Sequence, residues 1–155
     1  YIINKSDEEI ANLFAPVLEA HGVKESHERI VKAVSLVKNR VNFVGELWNQ
    51  TSYLFQAPES FDEKSLKKWW KDEAPRTTAE LCDFIESEPD FTGAVLEPRV
   101  MEWIASKGYG IGKVMNALRV TLVGAAVGPH IFEITDFIGK EETLARARKA
   151  ISTLS

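Results

Sequence analysis

Apolar residues recur at three- and four-residue spacing along nearly the whole chain, the period of helices that bury one face. Ile10, Leu13, Phe14, Val17 and Leu18 form the first such stripe. It is preceded by Ser6-Asp7-Glu8-Glu9, in which the Ser6 hydroxyl can accept the Glu9 amide proton while the Glu9 carboxylate reaches back. Pro16 interrupts the stripe, and His21-Gly22 supplies a stop near Ala20. A second helix is expected from Ser26, with Ile30, Val34, Val37 and Val41 on its inner face. A break near Asn42 leads into a further helix carrying Leu47, Trp48 and Phe55.

Ser60-Phe61-Asp62-Glu63 restarts a helix in which Leu66, Trp69 and Trp70 face inward and Lys64, Lys67, Lys68 and Lys71 face water. Ala74-Pro75 is expected to end it, and Thr77 or Thr78 to cap the next, which buries Leu81, Phe84 and Ile85. The acidic stretch Glu86 to Asp90 closes that helix, and the charge balance changes there. Beyond it, Thr92 to Ser106 reads as one long or two abutting helices ending at Gly108-Tyr109-Gly110. Gly112 to Val123 is a helix with Ile111, Met115, Leu118 and Leu122 on one side, and Gly124 breaks it. Pro129 suits the first turn of a helix over Ile131 to Ile138, and a last helix from Lys140 buries Leu144, Ala147, Ile151 and Leu154. No segment alternates with period two between hairpin turns, so the expected fold is all-α. It divides into two consecutive helical-bundle subdomains, 1–91 and 92–155.

The 155 residues are 45% hydrophobic, enough to bury a core, and no apolar run approaches the length of a bilayer span. With no secretory leader pattern and a single cysteine, Cys82, which reads as a buried helical thiol, a cytoplasmic protein is expected. The net charge of −4 is the opposite of a basic nucleic-acid binder, but it is unevenly spread. Residues 1–91 hold 11 Lys and Arg against 17 Asp and Glu, whereas residues 92–155 hold 8 against 6. A polyanion is therefore expected to favour the C-terminal part.

Catalytic constellations are missing. His21, His27 and His130 lie far apart, with no metal-ligand pair among them and no metal site expected. The spacing Gly108-x-Gly110-x-Gly112 lacks the preceding strand and the Lys-Ser/Thr ending of a phosphate loop, and reads as an interhelical turn whose free amides remain open to an RNA phosphate. No nucleophile stands beside a base, so no catalytic residue is assigned. Trp69 and Trp70 among lysines have the composition of a base-stacking platform, but adjacent helical tryptophans also bridge core and rim, and at least one is expected in the core.

Residues 112–139 carry the most informative pattern: Gly-Lys-Val-Met-Asn-Ala-Leu-Arg-Val-Thr-Leu-Val-Gly, a linker, Gly128-Pro129-His-Ile-Phe-Glu-Ile, then Ile138-Gly139-Lys140-Glu141. In order and spacing this resembles the C-terminal region of bacterial glutamyl-tRNA synthetases. There, Leu-Arg-x-x-Leu-x-Gly is followed by Pro-x-x-Phe-Glu-Ile, Leu-Gly-Lys-Glu and a basic amphipathic helix. Val37-Lys38-Asn39-Arg40-Val41 with Gly45-Glu46-Leu47 is similar to a Lys-x-Arg turn of that family's first anticodon-binding subdomain. The family's Rossmann-type class I catalytic domain, with its His-Ile-Gly-His and Lys-Met-Ser-Lys-Ser ATP motifs, has no counterpart here.

The resemblance implies a helical anticodon-binding body that holds the tRNA-Glu anticodon stem-loop. The absent N-terminal domain, its other partner, would ligate glutamate using ATP with magnesium; DNA and membrane are not expected partners, and this part needs no cofactor of its own. Arg119 matches an arginine placed at the anticodon bases, where a guanidinium can bond a base edge twice or stack on its face. Arg40 resembles one that monitors the third anticodon base and so separates tRNA-Glu from tRNA-Gln, with Lys38 as its rival. Gly128 precedes Pro129 where some relatives have Thr, so that only the backbone is left for a base contact. Lys113, Asn116, Arg146, Arg148 and Lys149 are expected on the tRNA backbone, the last three projecting from the final helix. The alternative is a helical protein–protein interaction module without catalysis, to which the acidic N-terminal half is equally suited.

Overall fold

A computed structural model describes residues 5–154 and, among them, contains nine helices and no strand. They are α1 (Asp7–Ala20), α2 (His27–Val37), α3 (Leu47–Phe55), α4 (Glu63–Trp69), α5 (Ala74–Ser87), α6 (Gly93–Lys107), α7 (Ile111–Val123), α8 (Ile131–Ile138) and α9 (Lys140–Leu154). The all-α expectation holds. By spatial contiguity the chain forms two units, Tyr1–Gln56 and Ala57–Ser155.

In the first unit the capping box forms: the Ser6 hydroxyl accepts from Glu9 N at 3.2 Å, and Glu9 Oε1 accepts from Ser6 N at 3.5 Å. Ile10, Phe14 and Leu18 of α1 pack with Ile30, Val34 and Val37 of α2 and Leu47 of α3. Ala11 completes the inward face of α1, whereas Leu13 is 50% exposed on the opposite flank of the 10-14-18 ridge. Two short 3-10 turns, Lys38–Arg40 and Val44–Glu46, join α2 to α3.

The second unit is built around α7. Its buried Val114, Leu118 and Leu122 meet Leu81 and Ile85 of α5, Leu96, Val100 and Ile104 of α6, Ile131 and Phe132 of α8, and Ala147 of α9. Each of the larger side chains among them contributes about 1.5–3 kcal/mol when buried. The division expected at 91/92 thus falls inside one core, between α5 and α6. Glu88, in the acidic stretch read as a boundary, is 4% exposed. The Arg99 guanidinium of α6 grips its carboxylate from two nitrogens, and Lys140 Nζ donates to its carbonyl at 2.8 Å. A segment tied on both sides is a packed corner, not a linker.

Within the Ser60–Glu63 start, Asp62 caps α4, its Oδ2 accepting from Ser65 N at 3.0 Å. The junction of α4 and α5 differs from expectation. Pro75 opens α5 instead of ending α4, because a residue without N–H is tolerated in a first turn. Thr77 and Thr78 consequently lie inside α5 and are buried. Thr92 to Lys107 forms a single element, with Thr92 as N-cap of α6 and Pro98 inside it.

Cys82 is 1% exposed in α5, and burial pushes its thiol up to about 11. A raised folded-state value means a contribution to stability that is intact below the unfolded thiol's ordinary value near 8.5 and lost as pH rises through about 11. Thiol-reactive reagents should therefore label Cys82 far more slowly in the native protein than in denaturant. Equal labelling rates would contradict the packing described.

Candidate nucleic-acid interface

α7 ends where Gly124 takes a left-handed conformation, φ 92°, its N–H still bonded to Val120 O at 2.8 Å. A Cβ at this position would lie 2.8 Å from the Ser60 carbonyl oxygen and 2.9 Å from Pro58 Cβ. Glycine is therefore required twice, for the turn and for the approach of the preceding segment. The Gly124 carbonyl accepts from Asp62 N at 2.7 Å. Two residues on, Ala126 N donates to Ser65 Oγ at 3.1 Å, and that hydroxyl donates to Asp62 Oδ2 at 2.8 Å. The linker after α7 is thus strapped onto the start of α4.

Arg119, half-buried one turn before the end of α7, holds the other side of this linker. Its Nη1 donates to Pro129 O at 2.6 Å and to Val127 O at 3.3 Å. The fold accordingly brings Arg119, Gly128 and Pro129 together. Gly128, at φ 115°, lets the chain reverse between the two carbonyls. Val127 is 61% exposed at the tip, an apolar side chain displayed beside a guanidinium. Pro129 precedes the first turn of α8, whose N-cap is His130, hydrogen-bonded through Nε2 to Glu97 Oε1 at 3.0 Å.

Arg40 stands in the first unit, exposed on its 3-10 turn, with no polar partner among the described residues. Lys38, its rival, is committed elsewhere: Nζ donates to Lys5 O at 2.6 Å and meets Asp7 Oδ1 at 3.3 Å. Lys113 is exposed in the first turn of α7, and Asn116 turns its amide back onto Gly112 O at 2.9 Å.

The expectation that α9 projects three cations is corrected for Arg146, which is 5% exposed. Its Nε donates to Glu142 Oε2 at 2.7 Å and its Nη1 to the Leu122 carbonyl at 2.9 Å, one of the orphan acceptors at the end of α7. Arg146 is therefore a buried strut between α9 and α7. Arg148 bonds Glu86 Oε2 at 2.8 Å and Asp83 Oδ1 at 3.4 Å on α5, and the Glu86 hydrogen bond raises its guanidinium's affinity for its proton. Of the three, Lys149 is exposed with no acidic partner among the described residues.

A cavity of about 490 Å³ lies where the end of α4 meets the starts of α5 and α7. Trp69, Lys68, Lys71, Tyr109 and Lys113 line it. The Tyr109 hydroxyl donates to Glu80 Oε1 at 2.6 Å and holds that carboxyl below its usual range, assisted by Arg76, which bridges Glu80 and Glu73 at 2.8 and 2.5 Å. This cavity and the tip residue Val127 were not singled out by sequence. Trp69, the lysines and the Gly108–Gly112 spacing are each visible in the sequence, but their convergence depends on α4 packing beside α7.

The family described as anticodon binding domain matches residues 9–151. Glutamate–tRNA ligases from Bacteroides fragilis and Phocaeicola vulgatus are 49% and 46% identical over 154 residues, which cover 99% of this chain and 30% of each relative. A crystal structure of a glutamate tRNA ligase from Elizabethkingia meningosepticum, in complex with its amino acid, is similar with a TM-score of 0.93 and 40% identity, covering 100% of this chain and 31% of that one. The glutamate-tRNA synthetase of Elizabethkingia anophelis matches with a TM-score of 0.87 and 39% identity, over 99% and 30%. The chain thus spans about 30% of the length of the curated relatives it matches.

The two classes of α9 cation should separate in stability measurements. Arg146→Ala leaves the Leu122 carbonyl and Glu142 without their donor and is expected to cost about 2–3 kcal/mol in denaturant unfolding. Lys149→Ala should stay within about 0.5 kcal/mol of wild type. Equal effects would contradict the buried position of Arg146.

Proposed function

The chain belongs to the anticodon binding domain family, and from that premise we propose that it is the C-terminal, anticodon-reading body of a bacterial glutamate–tRNA ligase. The observation that supports a specific reading edge is the Arg119 guanidinium braced by the carbonyls of Val127 and Pro129 beside an exposed apolar tip. Single-stranded loops are recognised by planar cations and apolar groups against splayed bases. A guanidinium already held in place loses little rotamer freedom on binding. Arg119 takes a base edge in this reading, Val127 covers an apolar face, and the backbone around Gly128 and Pro129 fixes the pocket's depth. Arg40 is a second contact, on the first unit.

Lys113 and Lys149 are assigned to backbone phosphates, where exposed lysines act as point charges. Asn116 and Arg148 are secondary, since each is already bonded within the fold. Arg146, buried between α9 and α7, has no tRNA contact in this reading. The remainder of the full-length protein carries the ATP and magnesium chemistry that joins glutamate to tRNA-Glu, and no catalytic residue is assigned to this chain.

Measured in the full-length protein, Arg119→Ala should cost roughly 1–3 kcal/mol of discrimination at one anticodon base. Arg40→Gln should narrow the preference for tRNA-Glu over tRNA-Gln. The readout is aminoacylation kcat/KM on tRNAs with each anticodon base replaced in turn. If Arg119→Ala responds to every replacement as wild type does, Arg119 is not a reader.

A further inference from the structure

The geometry points to the cavity at the N-terminal end of α7 as a second RNA subsite, one that takes a single nucleotide of the anticodon loop outside the three anticodon bases. The inference rests on the anticodon reading above and adds a site to it. α4 and α7 run antiparallel: Ser65, near the start of α4, bonds Ala126 after the end of α7, whereas Trp69, at the end of α4, shares the cavity with Lys113 near the start of α7. Along α7, Lys113 and Arg119 are six residues apart, about 9 Å at 1.5 Å per residue. With the two side chains also about 120° apart around the helix, and stacked nucleotides only roughly 3.4 Å apart, the two groups meet different nucleotides.

The cavity's chemistry fits a nucleotide. Its volume of about 490 Å³ falls in the range of sites that enclose small ligands. Trp69 offers an indole ring. Lys68, itself exposed, lies over that ring at 5.0 Å, a weak exposed contact that a base can displace while its ammonium moves to a phosphate. Lys71 and Lys113 are exposed and have no acidic partner among the described residues, and Asp72 is the acidic wall residue left to oppose them once Glu73 is paired with Arg76. Tyr109, anchored on Glu80 and edge-on to Trp103 at 5.9 Å, forms a fixed back wall. Cations around an aromatic ring in a concave site form the pattern by which single-stranded nucleic acid is held without reading its sequence.

The test is a double-mutant cycle on the full-length protein, with Kd measured for tRNA-Glu and for tRNAs made abasic at each anticodon-loop nucleotide outside the anticodon. Trp69→Leu should weaken intact tRNA roughly tenfold, and Trp69→Phe should recover most of that loss. One abasic tRNA should show no further loss on Trp69→Leu. Lys71→Gln combined with Lys113→Gln, both at exposed positions, should flatten the dependence of log K on log salt by about 1.4. Equal Trp69→Leu losses for intact and all abasic tRNAs would overturn the subsite, as would an unchanged salt slope. Competition by free nucleoside monophosphates as strong as that of tRNA would also overturn it, assigning the cavity to a small ligand. Arg119→Ala and replaced anticodon bases in the same assay separate the two readings. Coupling at Arg119 with none at Trp69 sinks the subsite alone, whereas coupling at neither sinks both.

Discussion

The close approach of the chain at Gly124 to Pro58 and Ser60 is the constraint on which the proposed recognition edge depends. Because no side chain intervenes, the Gly124 carbonyl reaches the amide of Asp62, and Ser65 can then hold Ala126. These contacts fix one side of the linker, and Arg119 fixes the other through two carbonyls. A seven-residue connection between helices would otherwise carry the mobility typical of loops. Pinned at both flanks, it presents Val127 and the Gly128-Pro129 backbone in one conformation. That is the preorganisation a base-reading surface needs if binding is not to be spent on ordering it.

Electrostatics sharpens the same picture. An acidic chain is a poor general binder of polyanions, and four arginines of the second unit are paired internally: Arg99 on Glu88, Arg76 on Glu73 and Glu80, Arg148 on Glu86 and Asp83, Arg146 on Glu142. Arg99 and Arg148 join elements of the second unit, whereas Arg76–Glu80 and Arg146–Glu142 lie within single helices. Among the cations left for a partner are the exposed lysines at the start of α7 and near the end of α4, Lys149 on α9, and Arg40 on the first unit. Specificity from a few placed groups, with a modest salt-dependent background, is the expected behaviour of such a surface.

Helical periodicity located every helix of the fold, because apolar stripes and caps are local signals that tertiary packing reinforced. The errors arose where a residue's meaning depends on what lies across from it. Pro75 and the acidic run at 86–90 look like breaks in one dimension, yet one opens α5 and the other holds Glu88, buried and bonded by Arg99 and Lys140. Arg146 sits at a helical position that looks amphipathic from either side, and only the unsatisfied end of α7 turns it inward. Arg119 with Gly128 and Pro129 was legible through family resemblance, since nothing in the spacing of residues 119 and 129 states that they touch. The family match over residues 9–151 also decides against a generic interaction module.

In the proposed reading the linker between α7 and α8, with Arg119, meets the anticodon. Amide hydrogen exchange of the full-length protein with and without tRNA-Glu tests it directly. Added protection is expected in residues 125–131 and the last turn of α7, and is lost when the anticodon bases are replaced. Saturating tRNA that protects other segments and leaves 125–131 unchanged would contradict it.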